Sequence, residues 1–97
     1  MNSGAAVEAE RTVSPRYDPE IAARASLLEV IEQHPTRLTV DELALRITAY
    51  PDDRRAVETA REAVRELRRE CLVRYRSDDQ LVEPTQAALR AYELLTA

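Results

Sequence analysis

Residues 53–76 read DRRAVETAREAVRELRRECLVRYR and contain the change of hydrophobic period that decides the fold. Up to residue 70 the apolar side chains recur every three or four positions, which is the period of an amphipathic helix. This apolar seam consists of Val57, Ala60, Val64 and Leu67. From residue 72 the sequence LVRYR is typical of a short β-strand. The pattern therefore predicts a helix from Asp52 or Asp53 to about Glu70 that passes directly into a strand.

Cys71 stands at this predicted junction. A helix that turns at once into a strand often ends with a residue in the left-handed conformation, which glycine adopts without the steric penalty of a Cβ atom. We therefore expect Cys71 at positive φ, at a cost on the order of 1 kcal/mol. The substitution Cys71→Gly is expected to be neutral or stabilising.

Two further helices are predicted before this stretch. In residues 20–34 an apolar stripe recurs at helical spacing, and Pro35 stops it. The stripe is formed by Ile21, Ala25, Leu28 and Ile31, and is widened by Leu27 and Val30. The second helix begins at Val40, because Thr39 and Glu42 have the spacing of a capping box. Leu38 and Leu43 form the matching hydrophobic staple, and the Tyr50-Pro51 pair ends this helix.

After the first strand, a polar turn at residues 77–80 and a second short run at residues 81–83 predict a two-stranded hairpin. Pro84 and Thr85 then open a last helix. One side of that helix carries Ala88, Leu89, Tyr92 and Leu95. Residues 1–19 lack an apolar period, so we expect a flexible N-terminal arm followed by one domain at residues 20–97.

This order of elements, with LTVDELALRI at residues 38–47 and VRELRRECLV at residues 64–73, resembles the winged helix-turn-helix superfamily of bacterial transcription regulators. The resemblance covers residues 20–97. It implies a mainly α fold with a three-helix core, a two-stranded wing and a C-terminal helix. It further implies a DNA-binding transcriptional regulator whose third helix enters the major groove of double-stranded DNA.

The resemblance also implies contact residues. Base contacts would fall to Thr59, Glu62 and Arg65, with Arg61 beside them, and wing contacts to Arg74 and Arg76. The outer face of the third helix adds Arg54, Arg55 and Arg69 as candidate DNA contacts. A homodimer is the expected assembly, because paired half-sites add affinity. Its surface would be the first or the last helix, with Tyr92, Leu94 and Leu95 as candidates.

Composition limits the other possible functions. The chain has only one glycine, Gly4, so a glycine-rich phosphate loop is excluded. It also has only one cysteine and one histidine, His34, which excludes an intrachain disulfide and a structural zinc site. His34 is expected to cap a helix end. The carboxylates lie at ion-pair spacing with no second catalytic group, so we expect neither enzymatic activity nor a cofactor. Without a membrane span or signal peptide, the chain is expected to be cytoplasmic and to have no membrane partner.

Charge keeps an alternative open. The chain has 14 basic and 18 acidic residues, a net charge of -4, and residues 51–71 contain six arginines against six acidic residues. The mixed face of the third helix could therefore be a solvated surface stabilised by its own ion pairs. The alternative function is a winged-helix protein-protein interaction module that does not bind DNA.

Overall fold

The structure is a computed structural model that describes residues 14–76 and 80–97. Its described part contains four α-helices and a small antiparallel sheet, so the prediction of a mainly helical fold with a small β element is confirmed. The helices are α1 (Pro19–Gln33), α2 (Val40–Ile47), α3 (Arg54–Arg69) and α4 (Gln86–Thr96). The strands are β1 (Leu38–Thr39), β2 (Val73–Arg76) and β3 (Leu81–Pro84), and a 3-10 turn, Pro15–Tyr17, precedes α1.

Side-chain caps determine where the helices begin. Thr39 and Glu42 form the predicted capping box of α2, with N···O distances of 3.0 and 2.9 Å. Asp53 accepts hydrogen bonds from the amides of Arg55 and Ala56 at the start of α3. These groups satisfy amides that have no partner inside the helix. The beginnings of both helices are where the sequence predicts them.

The junction after α3 also follows the prediction. Cys71 has a φ of 63° and is exposed. Its amide donates to the carbonyl oxygen of Arg68, and the amide of Leu72 donates to that of Leu67. This pair of bonds is a Schellman motif, in which the residue after the helix cap takes the left-handed conformation. The motif turns the chain directly from α3 toward β2.

The sheet has three strands in the order β1-β3-β2, all antiparallel. The sequence predicts the β2–β3 hairpin and a short extended piece at residues 37–38, and the structure shows β1 at this place, paired with the free edge of β3. Leu38 pairs with Val82 on one side of β3, and Tyr75 pairs with Val82 on the other. Most of the predicted turn, residues 77–79, lies outside the described residues.

Helices α1 and α2 both pack on α3, which makes its most extensive contacts with α1. The apolar seam predicted for α3 is buried in full. The stripe predicted for α1 is confirmed in part: Val30 is buried, and Ala25, Leu27 and Ile31 are half-buried. Ile21 and Leu28 are instead 50% and 37% exposed, and Ser26, which lies outside the predicted stripe, is buried. Ser26 can face the core because its hydroxyl donates to the carbonyl oxygen of Ala22, so no polar group is left without a partner.

The last helix, α4, begins after Thr85, whose hydroxyl accepts a hydrogen bond from the amide of Ala88. Ala88 is buried, and Leu89 and Tyr92 are half-buried, as the sequence predicts. Leu95 is 85% exposed in the last turn of α4, so it does not share the burial of Ala88, Leu89 and Tyr92.

The N-terminal boundary differs in its details from the expected flexible arm. Residues 1–13 lie outside the described residues. From Ser14 onward the chain forms the 3-10 turn, Asp18 caps α1, and Pro19 is its first residue. The described part of the expected arm is therefore continuous with the domain. His34 is the C-cap of α1 and is exposed. Among the described residues, no helix is both long and apolar enough to cross a lipid bilayer.

Candidate nucleic-acid interface

Arginines form a stripe along one side of α3. Arg54, Arg61 and Arg68 are seven residues apart, so they lie on nearly the same side of the helix. Arg65 lies one turn from both Arg61 and Arg68. The fully buried Val64 and Leu67 hold the other side of the helix in the core. Packing of that apolar seam therefore orients the stripe toward the surface.

The C-terminal half of this stripe faces a groove of about 660 Å³. We call it the arginine groove. Its lining residues come from the start of α2, from α3 and from the hairpin: Val40, Asp41, Arg61, Arg65, Arg68, Arg69, Tyr75 and Gln80. The structure thus brings together three of the predicted contact residues, Arg61, Arg65 and Arg69, and adds Arg68. Four guanidinium groups in one groove can bind a row of phosphates or carboxylates.

Arg68 is held in the groove by an aromatic ring. Its guanidinium carbon lies 4.3 Å from the centroid of the Tyr75 ring. A cation over a ring face gains about 0.5–1 kcal/mol at an exposed site. Among the described residues Arg68 makes no ion pair, so its charge is available to an external anion. The alternation of β2 gives Tyr75 this position, because Arg74 and Arg76 point to the opposite face of the strand.

The other groove arginines are paired on the protein surface. Arg61 donates to Asp41 at 2.9 Å and to Glu58 at 3.4 Å, and Arg65 contacts Glu58 at 3.2 Å and Glu62 at 3.0 Å. The hydrogen bond from Arg65, followed by that from Arg61, lowers the pKa of Glu58. The hydrogen bond that Arg65 donates to Glu58 in turn raises the pKa of Arg65. These side chains are 36–70% exposed, so water and salt compete with every pair.

Three predicted contacts on α3 lie outside the arginine groove. Arg54 lines a neighbouring depression with Leu45 and Pro51, and Arg61 lines both this depression and the groove. Arg55 stacks on the Tyr17 ring, 4.1 Å from its centroid. Thr59 is half-buried, and its hydroxyl donates to the carbonyl oxygen of Arg55 at 2.9 Å. Arg55 and Thr59 are therefore not part of the surface that the groove arginines form, whereas Arg54 continues it through Arg61. Arg69 pairs with Glu66 at 2.8 Å, as the helical spacing predicts.

The predicted wing contacts have different surroundings. Arg76 is exposed at the end of β2. Arg74 donates to Glu83, which lies opposite it on β3, and Arg37 donates to the same carboxylate at 2.9 Å. Glu83 is only 7% exposed, and the hydrogen bonds from Arg74 and then Arg37 lower its pKa. Arg74 therefore helps to neutralise a buried charge in the sheet, although its own side chain is 68% exposed.

A second polar cluster lies at the start of α3. The hydroxyl of Tyr17 donates to Asp53 at 2.7 Å, and Arg16 pairs with the same carboxylate at 3.2 Å. The hydrogen bond from Tyr17 is the main cause of the lowered pKa of Asp53. Arg16 also lies over the Tyr50 ring, 3.7 Å from its centroid. The cluster fixes the 3-10 turn on the connection between α2 and α3.

Sequence reasoning missed several of these residues. The seven-residue spacing of Arg61 and Arg68 was the available signal for the stripe. No sequence signal pairs Tyr17 with Asp53, which are 36 residues apart, or Arg37 with Glu83, which are 46 apart. Both contacts depend on tertiary packing and strand register.

The comparisons with known proteins add no relative: no protein-family model, no curated protein and no solved structure matches this chain. Within residues 14–76 and 80–97, no three histidine, cysteine or acidic side chains form a group that could hold a metal ion.

Proposed function

We propose that this chain is a winged-helix DNA-binding transcriptional regulator in which α3 enters the major groove and the β2–β3 hairpin acts as the wing. The order of the helices and strands, with β3 between β1 and β2, supports this proposal. The observation that carries it is the arginine groove, because Arg61, Arg65 and Arg68 converge between α3 and the hairpin. A duplex that contacts both elements would pass over this groove.

The existing ion pairs do not prevent this role. An exposed pair is worth about 0–1 kcal/mol, and a phosphate oxygen can replace a carboxylate oxygen as the acceptor. Arg61 and Arg65 can therefore exchange Glu58 for the DNA backbone at small cost. Arg68 needs no exchange and is the first phosphate contact in this proposal. Glu62 lies beside Arg65 on the exposed side, where a carboxylate can accept a hydrogen bond from cytosine N4.

The proposal redistributes the predicted contacts. Arg61, Arg65, Arg68 and Arg69 form the main contact, and Arg54 extends it toward the start of α3. Arg76 points to the face of β2 opposite Tyr75, so it would act as a separate wing contact. Arg74 is assigned to the sheet, because its partner Glu83 is buried. Arg55 and Thr59 are assigned to the packing of the 3-10 turn and of α3.

A homodimer belongs to the same proposal, because two copies of α3 would bind paired half-sites. The surface we propose for it is the outer side of α4, where Leu94 and Leu95 are 62% and 85% exposed. Sedimentation velocity of the full chain and of its Leu94→Glu variant tests this part. We expect the unchanged chain to sediment as a dimer and the Leu94→Glu variant to sediment as a monomer, because the introduced charge would lie in the interface.

A protein-protein interaction module remains the second candidate. The balanced charges of residues 51–71 favour it, since most arginines of the groove already have an acidic neighbour. In this case the partner would present carboxylates to the groove. Salt weakens both kinds of contact, but the dependence should be steeper for DNA, because only a duplex releases condensed counterions.

Fluorescence anisotropy tests the proposal directly. The full chain is titrated into a labelled duplex from the native locus, at salt concentrations from about 50 to about 200 mM. Four phosphate contacts, one for each groove arginine, predict that the logarithm of the binding constant falls with a slope of about -3.6 against the logarithm of the salt concentration. Absence of binding at the lowest salt concentration would contradict the proposal and favour the protein-interaction module.

A further inference from the structure

A smaller pocket of about 270 Å³ shares no residue with the arginine groove. It opens between α1, the end of α2, the connection to α3, and the first turns of α3. Apolar side chains line most of its wall: Ile21, Ala22, Ala25, Ile47, Ala56 and Ala60. The 3-10 turn closes one side with Pro15 and Arg16. We call this the alanine pocket.

The walls make the alanine pocket suitable for an apolar group. Ala56 and Ala60 are 2% exposed, so the floor lies within the folded core. An apolar cavity of about 150 Å³ is large enough for benzene, so about 270 Å³ leaves room for one ring or short acyl chain with a small head group.

The rim of the alanine pocket is cationic. Arg16 lies over the Tyr50 ring, and its side chain remains 35% exposed. Among the described residues its guanidinium makes one hydrogen bond, to Asp53, although the group has five N–H donors. The other N–H groups of this partly exposed guanidinium can donate to the oxygens of one anionic head group.

We propose that the alanine pocket binds a small apolar monocarboxylate, with its ring or short chain against Ala25 and Ala60 and its carboxylate on Arg16. A planar guanidinium matches a carboxylate in both charge and geometry. The size of the pocket limits the ligand to about one ring. This site does not depend on DNA binding, because none of its lining residues lines the arginine groove.

Titration of the ¹⁵N-labelled full chain with sodium benzoate, followed by two-dimensional NMR, tests the site. A ligand of this size is expected to bind with a dissociation constant on the order of 1 mM. We expect saturable shifts of the amide signals of Ala22, Ala25, Ala56 and Ala60. Benzyl alcohol, which has the ring without the charge, should bind at least about tenfold more weakly.

Two variants test separately how the apolar wall and the rim of the alanine pocket contribute to benzoate binding. Ala25 is half-buried on α1, and the larger side chain of Ala25→Leu should fill the pocket and abolish benzoate binding. The matched control is Ala91→Leu on the exposed side of α4, which should leave benzoate binding unchanged. Arg16→Gln should reduce benzoate binding to the level of benzyl alcohol.

Three results would overturn the proposal. They are the absence of saturable shifts, full binding by Ala25→Leu, and equal binding of benzoate by Arg16→Gln and the unchanged chain. Removal of residues 1–13 provides a further test. If it shifts the same amides without benzoate, the N-terminal segment of the chain is the occupant, and the monocarboxylate assignment is wrong.

Discussion

Two carboxylates in this protein are each shared by two arginines, yet their surroundings differ. Glu83 on the central strand accepts hydrogen bonds from Arg37 and Arg74 and is 7% exposed. Glu58 on α3 pairs with Arg61 and Arg65, and its side chain is 49% exposed. The hydrogen-bonding groups are the same in both places, and the difference is access to water.

Burial decides what each pair of arginines can do. A buried carboxylate that loses its cations keeps the full cost of desolvation, so the arginines beside Glu83 are needed for folding. An exposed carboxylate is solvated again when its partner leaves, so the arginines beside Glu58 are free to bind another anion. The proposed DNA contacts lie at the exposed pair. An arginine count alone would not separate these two roles.

The largest expected effect is on the buried pair. The double substitution Arg37→Met and Arg74→Met leaves Glu83 without a cation and should lower the free energy of unfolding by about 3 kcal/mol. The matched double substitution Arg61→Met and Arg65→Met should change the denaturation midpoint little. Urea denaturation of both variants measures the difference. Similar denaturation midpoints for the two double variants would contradict the different roles given to the buried Glu83 and the exposed Glu58.

Acid unfolding sharpens the same comparison. The folded-state pKa of Glu83 is lowered, so its contribution to stability is complete above the unfolded-state pKa of about 4.3 and is lost as pH falls through the folded-state value. The Glu83→Gln variant has no carboxylate to protonate at this position, so its stability does not include this pH-dependent contribution. Its stability should therefore fall less than that of the unchanged chain between about pH 5 and pH 3. Parallel loss in both proteins, measured by urea midpoints across this range, would contradict the assignment.

Features that depend on neighbouring residues could be predicted from the sequence. The capping box at Thr39 and the positive φ of Cys71 each follow from a few adjacent residues, and both are observed. The buried side of α1 was predicted only in part: Val30 faces the core as expected, but so does Ser26, because its back-bonded hydroxyl allows a polar residue to lie there. The site was predictable in part: Arg61 and Arg65 follow from helical spacing, whereas the Arg37–Glu83–Arg74 arrangement requires the register of three strands.

Truncation from the N-terminus tests how much the polar cluster at the start of α3 contributes to stability. Like the contacts of Glu83, this cluster joins segments that are distant in the sequence. Removal of residues 1–17 deletes Arg16 and Tyr17, which hold Asp53 at the start of α3. The melting temperature should fall by more than about 5 °C, since a domain of this size shifts about 4–8 °C per kcal/mol. Removal of residues 1–13 is the matched control and should have little effect. Equal melting temperatures would show that the turn does not stabilise α3.

The smallest expected effect is at the junction that places Arg68 beside Tyr75. Cys71 is exposed at a φ of 63°, so its side chain returns little packing energy for the strained conformation. Cys71→Gly should raise the free energy of unfolding by at most about 1 kcal/mol. Denaturation under reducing conditions checks this. A clearly lower midpoint at an unchanged slope would mean that the thiol contributes packing that the junction needs.

The central claim, that the arginines at the exposed carboxylate bind DNA, is tested most directly by comparing Arg65→Ala with Arg24→Ala in the anisotropy assay across the salt series. Arg24 is exposed on α1, away from the arginine groove. Arg65→Ala should weaken binding and make the salt slope shallower by about 0.9, the value for one lost phosphate contact, whereas Arg24→Ala should change neither. Equal losses of affinity and slope for the two variants would contradict the account.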